Sequence, residues 1–142
     1  MNHEAREDHE EIDAKSHNKV VFDDLSRRVV NCAYAVHKAL GPGLLESAYE
    51  ECLGIKLLQE GIPFQRQVPM SFDFEGQKID IGYKLDLLVD KNLIVELKSV
   101  EALLPVHEAQ ILTYLKLSNI KTGLLINFNS SLFKNGIRRF VL

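Results

Sequence analysis

The sequence has no tryptophan, only two cysteines among 142 residues, and no apolar run near the ~20 residues a membrane-spanning helix needs. Each scarcity excludes something. Cys32 and Cys52 lie far apart on separate helical patterns with no CxxC spacing, so a zinc ribbon is out; the two could pair, but apolar-face cysteines of this kind read rather as reduced core residues. Aromatic side chains make up 8%, so few are there for base stacking. The N-terminus is acidic and lacks an apolar h-region, so a cytoplasmic protein is the expectation. No Walker loop or dinucleotide glycine signature occurs. HEAQI begins like a zinc-protease motif, but Ile111 stands where the second histidine belongs.

Net charge is small, −3, and unevenly spread. Residues 1–18 hold six acidic side chains against Arg6 and Lys15, which leaves the remainder close to neutral. This stretch also carries His3, His9 and His17 and almost nothing apolar, so residues 1–18 read as a disordered acidic tail. Residues 19–142 read as one domain, long enough to bury a substantial core.

From Val20 the pattern is helical, with Val21, Leu25, Val29, Cys32, Val36 and Leu40 at three- and four-residue spacing, and Asp23 or Asp24 able to cap it. Gly41-Pro42-Gly43 breaks that helix, and a second follows from about Leu45 to Gln59. Strand patterns come next at Gln65–Phe74, at Lys78–Val89 with a bend at Gly82, and at Leu93–Val100. A helix over Val106–Leu117, a buried strand over Lys121–Phe128 and a short last strand over Ile137–Leu142 complete the order. This α-α-β-β-β-α-β succession predicts an α/β domain.

Three charges interrupt runs that otherwise read as buried strand: Asp86 in YKLDLLVD, and Glu96 and Lys98 in LIVELKS. Burying such groups without partners costs several kcal/mol, so they need a reason. Alternation puts Lys84, Asp86 and Leu88 on one face of their strand, and Glu96 and Lys98 on one face of the next. A three-residue loop over Asp90–Asn92 would pair Val89 with Leu93 and set Asp86 opposite Glu96. A two-residue loop would throw them to opposite faces. Opposed carboxylates are destabilising unless something sits between them, and Mg²⁺ takes hard oxygen ligands of this kind. The bland alternative is a structural ion pair of Lys98 with Asp86 or Glu96.

Two more motifs bear on this. GLLESAY, Gly43 to Tyr49, fits G-x-x-E-x-x-Y, and Gln110 to Tyr114 fits Q-x-x-x-Y on the helix after the third strand. With LGPGLLESAYEECL, DLLVDKNLIVELKSV, HEAQILTYLK and TGLLINF, the chain resembles the GxxExxY protein family, a branch of the PD-(D/E)XK nuclease superfamily, over roughly residues 22–142. The resemblance implies a restriction-endonuclease-like core, a mixed central sheet flanked by helices. It implies that Asp86 is the motif aspartate and that Glu96 and Lys98 are the E-x-K element. The Q-x-x-x-Y element is similar to that of RecB-type exonucleases, which would put Gln110 and Tyr114 at the active site or on DNA. Glu46 would match a first-helix glutamate that joins the metal site in some members. Leu85 precedes the motif aspartate where alanine is the commoner residue in the family.

The residues themselves bear this out in part. Gln110 and Tyr114 are four apart and share a helix face. Glu46 lies in a first helical turn, where the dipole favours a carboxylate in any protein. Tyr49 suits a core position with its hydroxyl bonded, Gly41 and Gly43 suit turns, and His37 a satisfied place near the core. His107 reads as a surface residue. Arg27, Arg28, Arg66, Lys116, Lys121, Lys134, Arg138 and Arg139 are candidates for a phosphate-binding rim or ordinary solvated cations.

The expectation is therefore a Mg²⁺- or Mn²⁺-dependent nuclease acting on DNA. Asp86, Glu96 and Glu46 are its metal ligands, and Asp86, Glu96, Lys98, Gln110 and Tyr114 its catalytic set. The rival is a non-catalytic module on the same fold that binds nucleic acid or protein. A homodimer joined through a sheet edge or the first helix stands as a further alternative.

Overall fold

The structure is a computed structural model, and residues 23–142 are described. The expected acidic tail lies outside them. Helix α1 spans Asp24–Leu40, and the Asp23 carboxylate caps it by accepting the Ser26 N–H at 2.7 Å. It ends where Gly41 takes φ 68° and donates its N–H to the His37 carbonyl. Helix α2 spans Glu46–Gln59. Strands β1 (Phe64–Phe74), β2 (Gln77–Val89) and β3 (Leu93–Lys98) follow. Helix α3 (Pro105–Ser118), β4 (Thr122–Asn127), a 3-10 turn over Phe133–Gly136 and β5 (Ile137–Val141) complete the chain.

The five strands stand in chain order, β1-β2-β3-β4-β5. All pairs are antiparallel except β3–β4, whose parallel pairing requires a crossover, and α3 supplies it. Strand alternation sends the residues of β3 and β4 into two cores. Leu93, Val95, Leu97, Leu124 and Ile126 pack with α1 and α2, while Ile94 and Leu125 pack with Ile111, Tyr114 and Leu115 of α3. Helices thus cover both faces of a mixed sheet, the restriction-endonuclease-like arrangement.

The β2–β3 register follows the three-residue loop. Val89 pairs with Leu93, Leu88 with Ile94 and Leu87 with Val95. Asp90 and Lys91 are both left-handed, at φ 50° and 57°, and Asn92 donates back to the Val89 carbonyl. The sequence expectation differs from the structure in three places. Strand β3 stops at Lys98 and does not reach Val100, because the Asn127 side chain takes both backbone groups of Val100. The 3-10 turn before β5 carries no hydrophobic periodicity and was not anticipated.

The third difference concerns the site. Lys84, Asp86 and Leu88 do not share one face. Leu87 and Val89 join the α1–α2 core, but Leu85 joins the α3 core, as does Leu88. The alternation therefore breaks at Asp86. The partner strand breaks with it: Phe64 packs on the α1–α2 side, Val68 and Met70 on the α3 side, and Gln67 between them is left-handed at φ 53°.

Candidate active site

Asp86 and Glu96 meet where the β2–β3 ladder stops. Beyond the Leu87–Val95 pair, side chains replace the backbone rungs. The Asp86 N–H donates to Glu96 Oε1 at 3.2 Å, and the Leu97 N–H donates to Asp86 Oδ2 at 2.8 Å. Each carboxylate is thus held by the other strand's backbone, which fixes both without a cation. Glu96 is 2% exposed. Its second oxygen, Oε2, accepts a 2.5 Å hydrogen bond from the Tyr83 hydroxyl. Tyr83 in turn stacks on Tyr114 of α3, ring centroids 4.4 Å apart and planes 22° from parallel. The tyrosine of the Q-x-x-x-Y element therefore reaches the acidic pair through Tyr83.

The electrostatics show two anions short of compensation. Burial pushes the Glu96 carboxyl up to about 7, the Asp86 charge adds to this, and the bonds from Tyr83 and from the Asp86 N–H offset part of it. Asp86 is also raised, first by burial and then by the charges of Glu50 and Glu46, against the Leu97 hydrogen bond and Lys98. Burial and the neighbouring Glu96 charge raise the Tyr83 phenol, which keeps it a donor. Lys98 is half-buried at the end of β3 and lowers the proton affinity of both acids. Neither acid lies within ion-pair distance of it among the described residues, so the structural ion pair does not form.

Helix α2 contributes two more carboxylates. Glu46 is exposed in its first turn, and Glu50, one turn on, is buried. Glu50 accepts from Gln67 Nε2 at 2.7 Å and from the Arg66 guanidinium at 3.0 and 2.9 Å. Arg66 also reaches Glu51, so this rim candidate is a clamp between α2 and β1. The Tyr49 hydroxyl donates to the Gly41 carbonyl at 2.6 Å and accepts the Leu44 N–H at 3.1 Å, with its ring stacked on Phe128. It holds the Gly41–Leu44 loop ahead of Glu46. Ser99, next to Lys98, donates to the Leu44 carbonyl and ties that loop to the end of β3.

Gln110 is half-buried, one turn before Tyr114, and its amide makes no hydrogen bond among the described residues. His107 Nδ1 accepts the Leu104 N–H and serves the start of α3. His37 is buried against the Ser130 carbonyl, and both cysteines are free. Arg28 donates to the Glu60 carbonyl, Arg138 to two carbonyls near its own turn, and Arg139 pairs with Asp23. These cations serve local structure.

The sequence reading missed Tyr83 and Glu50. Tyr83 stands three residues before Asp86, across the broken alternation. Glu50 follows Glu46 by four, a helical spacing that puts both on one face.

The donor set suits a hard divalent cation. Asp86 Oδ1 accepts no hydrogen bond among the described residues, and each Glu96 oxygen accepts one, so both acids keep lone pairs to offer. Among the described residues, no three His, Cys, Asp or Glu side chains close into a metal cluster, and Glu46 does not complete one with the pair. Two carboxylates, with water and phosphate oxygens in the remaining positions, is a common Mg²⁺ arrangement.

No helix among the described residues is long and apolar enough to cross a membrane. Neither the curated proteins nor the solved structures offer a match to the chain. A family model does match, that of the PD-(D/E)XK nuclease superfamily, over residues 23–140. That span takes in both helices before the sheet, the Asp86–Glu96–Lys98 hairpin and the strands up to Phe140 of β5, and the chain belongs to the PD-(D/E)XK nuclease superfamily.

Proposed function

We propose that this chain is a Mg²⁺- or Mn²⁺-dependent nuclease that hydrolyses DNA phosphodiester bonds, of the GxxExxY branch. The observation that carries this reading is the meeting of Asp86 and Glu96 at the end of a ladder, both with raised proton affinity and neither ion-paired among the described residues. A buried carboxylate beside a half-buried one costs stability in the free protein, and a divalent cation relieves that cost.

Asp86 Oδ1 and the Glu96 carboxylate would hold the ion, with Glu46 close enough in charge to assist. The ion would supply Lewis acidity toward a phosphate oxygen and acidify a bound water. The chain does the rest. Leu97 N–H and Tyr83 keep the two acids from rotating away. The Lys98 ammonium, without an ion pair among the described residues, is available to orient the attacking water and to balance the charge that develops on phosphorus. Tyr114 holds the Tyr83 ring in place, and Gln110, one turn earlier with its amide unengaged among the described residues, is available to substrate.

The test is cleavage of single- and double-stranded DNA with Mg²⁺ or Mn²⁺, comparing wild type with Asp86→Ala and Lys98→Ala. Loss of about 100-fold or more in either folded variant is expected, on the scale of removing one charge-stabilising group. Undiminished cleavage by purified Asp86→Ala refutes the assignment. The lack of a three-ligand cluster among the described residues favours a second reading, a binding module without turnover. Retained DNA binding in EDTA with no product at high protein concentration would select it.

A further inference from the structure

The break in strand alternation at Gln67 and Asp86 has a mechanical support outside the acidic pair. The β1–β2 register runs Arg66 with Leu87 and Val68 with Leu85, and Gln67 and Asp86 stand between these two pairs. Neither is a ladder partner, because Gln67 is left-handed at φ 53°. A long side chain in that region costs about 1 kcal/mol and persists only where its surroundings hold it. Here the holder is identifiable. Glu50 is 6% exposed, and its Oε1 accepts the Gln67 amide at 2.7 Å. Its Oε2 is anchored by Arg66, the residue just before the kink. One buried carboxylate on α2 thus grips two consecutive residues of β1, one on either side of the peptide where the strand turns over. The consequence falls on β2: with its partner kinked, Asp86 leaves the ladder, and its carboxylate turns to the Leu97 N–H on β3.

We infer that Glu50 and Gln67 form a positioning pair that sets the place of Asp86: Glu50 fixes the left-handed kink at Gln67, and the kink directs the Asp86 carboxylate across to β3. Neither residue touches the reacting atoms. The inference rests on the proposed nuclease reading only for its functional consequence, since the geometric part holds in the metal-free protein.

The experiment uses the full chain. Gln67→Ala removes the amide while leaving the Glu50–Arg66 pair, and Glu50→Ala removes the acceptor of both Gln67 and Arg66. The first readout is hydrogen exchange of the Leu97 amide, whose acceptor is Asp86, against the Val95 amide as internal reference. Both variants should exchange Leu97 at least about tenfold faster while Val95 stays within about twofold, which a general loss of stability would not produce. The second readout is Mg²⁺ affinity by calorimetry, expected to fall about 10- to 100-fold, the usual effect of removing a residue that orients a metal ligand. Unchanged Leu97 exchange in Gln67→Ala, or Leu97 and Val95 accelerating together, overturns the inference. Selective Leu97 exchange with Mg²⁺ affinity unaltered supports the positioning role and counts against Asp86 as a metal ligand, so the two proposals fail separately.

Discussion

Glu96→Gln should make the protein more stable at pH 8 while abolishing its metal binding. The wild-type carboxyl rises from an ordinary 4.5 to about 7 in the fold. The folded state therefore holds a proton that the unfolded chain has released between those two values. In that window the native state binds more protons, so stability falls as pH rises from about 4.5 to about 7 and stays low above it. At ~1.4 kcal/mol per unit the accumulated loss is about 3 kcal/mol. Glutamine avoids it. Its oxygen can accept the Asp86 N–H and its amide can donate to a Tyr83 hydroxyl turned to act as acceptor, so both contacts survive without a charge. Thermal unfolding in EDTA at pH 5 and pH 8 reads the difference. The two proteins should melt alike at pH 5, and at pH 8 the variant should melt roughly 10 °C higher. Mg²⁺ at pH 8 should raise the wild-type melting temperature and leave the variant unmoved. A variant no more stable than wild type at pH 8, or wild-type stability that climbs between pH 5 and 8 relative to the variant, refutes the reasoning.

Tyr83→Phe should slow cleavage and move the acid limb of its pH profile upward. Glu96 loses the hydrogen bond that favours its charged form, and the profile of kcat/KM reads the shift. Tyr49→Phe should lower stability by about 1–3 kcal/mol in denaturant titration, because the Gly41 carbonyl and the Leu44 N–H both lose their partner. Gly136→Ala should cost more than Gly123→Ala. A Cβ at Gly136 would fall 2.3 Å from the Asn127 carbonyl oxygen, which is backbone, whereas one at Gly123 meets the movable end of Ile111 at 2.9 Å. Comparison of the two melting temperatures decides it.

The parts of this molecule that were legible in the sequence are those that repeat. The hydrophobic spacing of α1, the glycines after it and the apolar runs of β3 and β4 led to the right elements within a few residues, because burial on one or both faces dictates them. The loop length at Asp90–Asn92 fixed the pairing of Val89 with Leu93, and with it the approach of Asp86 to Glu96. The break at Gln67 was hidden for a physical reason. A left-handed glutamine carries no compositional mark, since its conformation is imposed by Glu50 from a distant helix and not chosen by the residue. Tyr83 was hidden by the same break, because straight alternation from Asp86 turns it away from Glu96. Tyr49 was read as a core residue with a bonded hydroxyl, and the structure adds what it holds: the loop that leads into Glu46.

The central claim is that Asp86 and Glu96 form a divalent-cation site, and calorimetric titration of Mg²⁺ or Mn²⁺ into wild type and Asp86→Ala tests it most directly. The account expects saturable binding by the wild type that disappears in the variant, while circular dichroism shows both folded. Equal binding by the two proteins, or none by the wild type even with a DNA oligonucleotide present to supply phosphate oxygens, would contradict it.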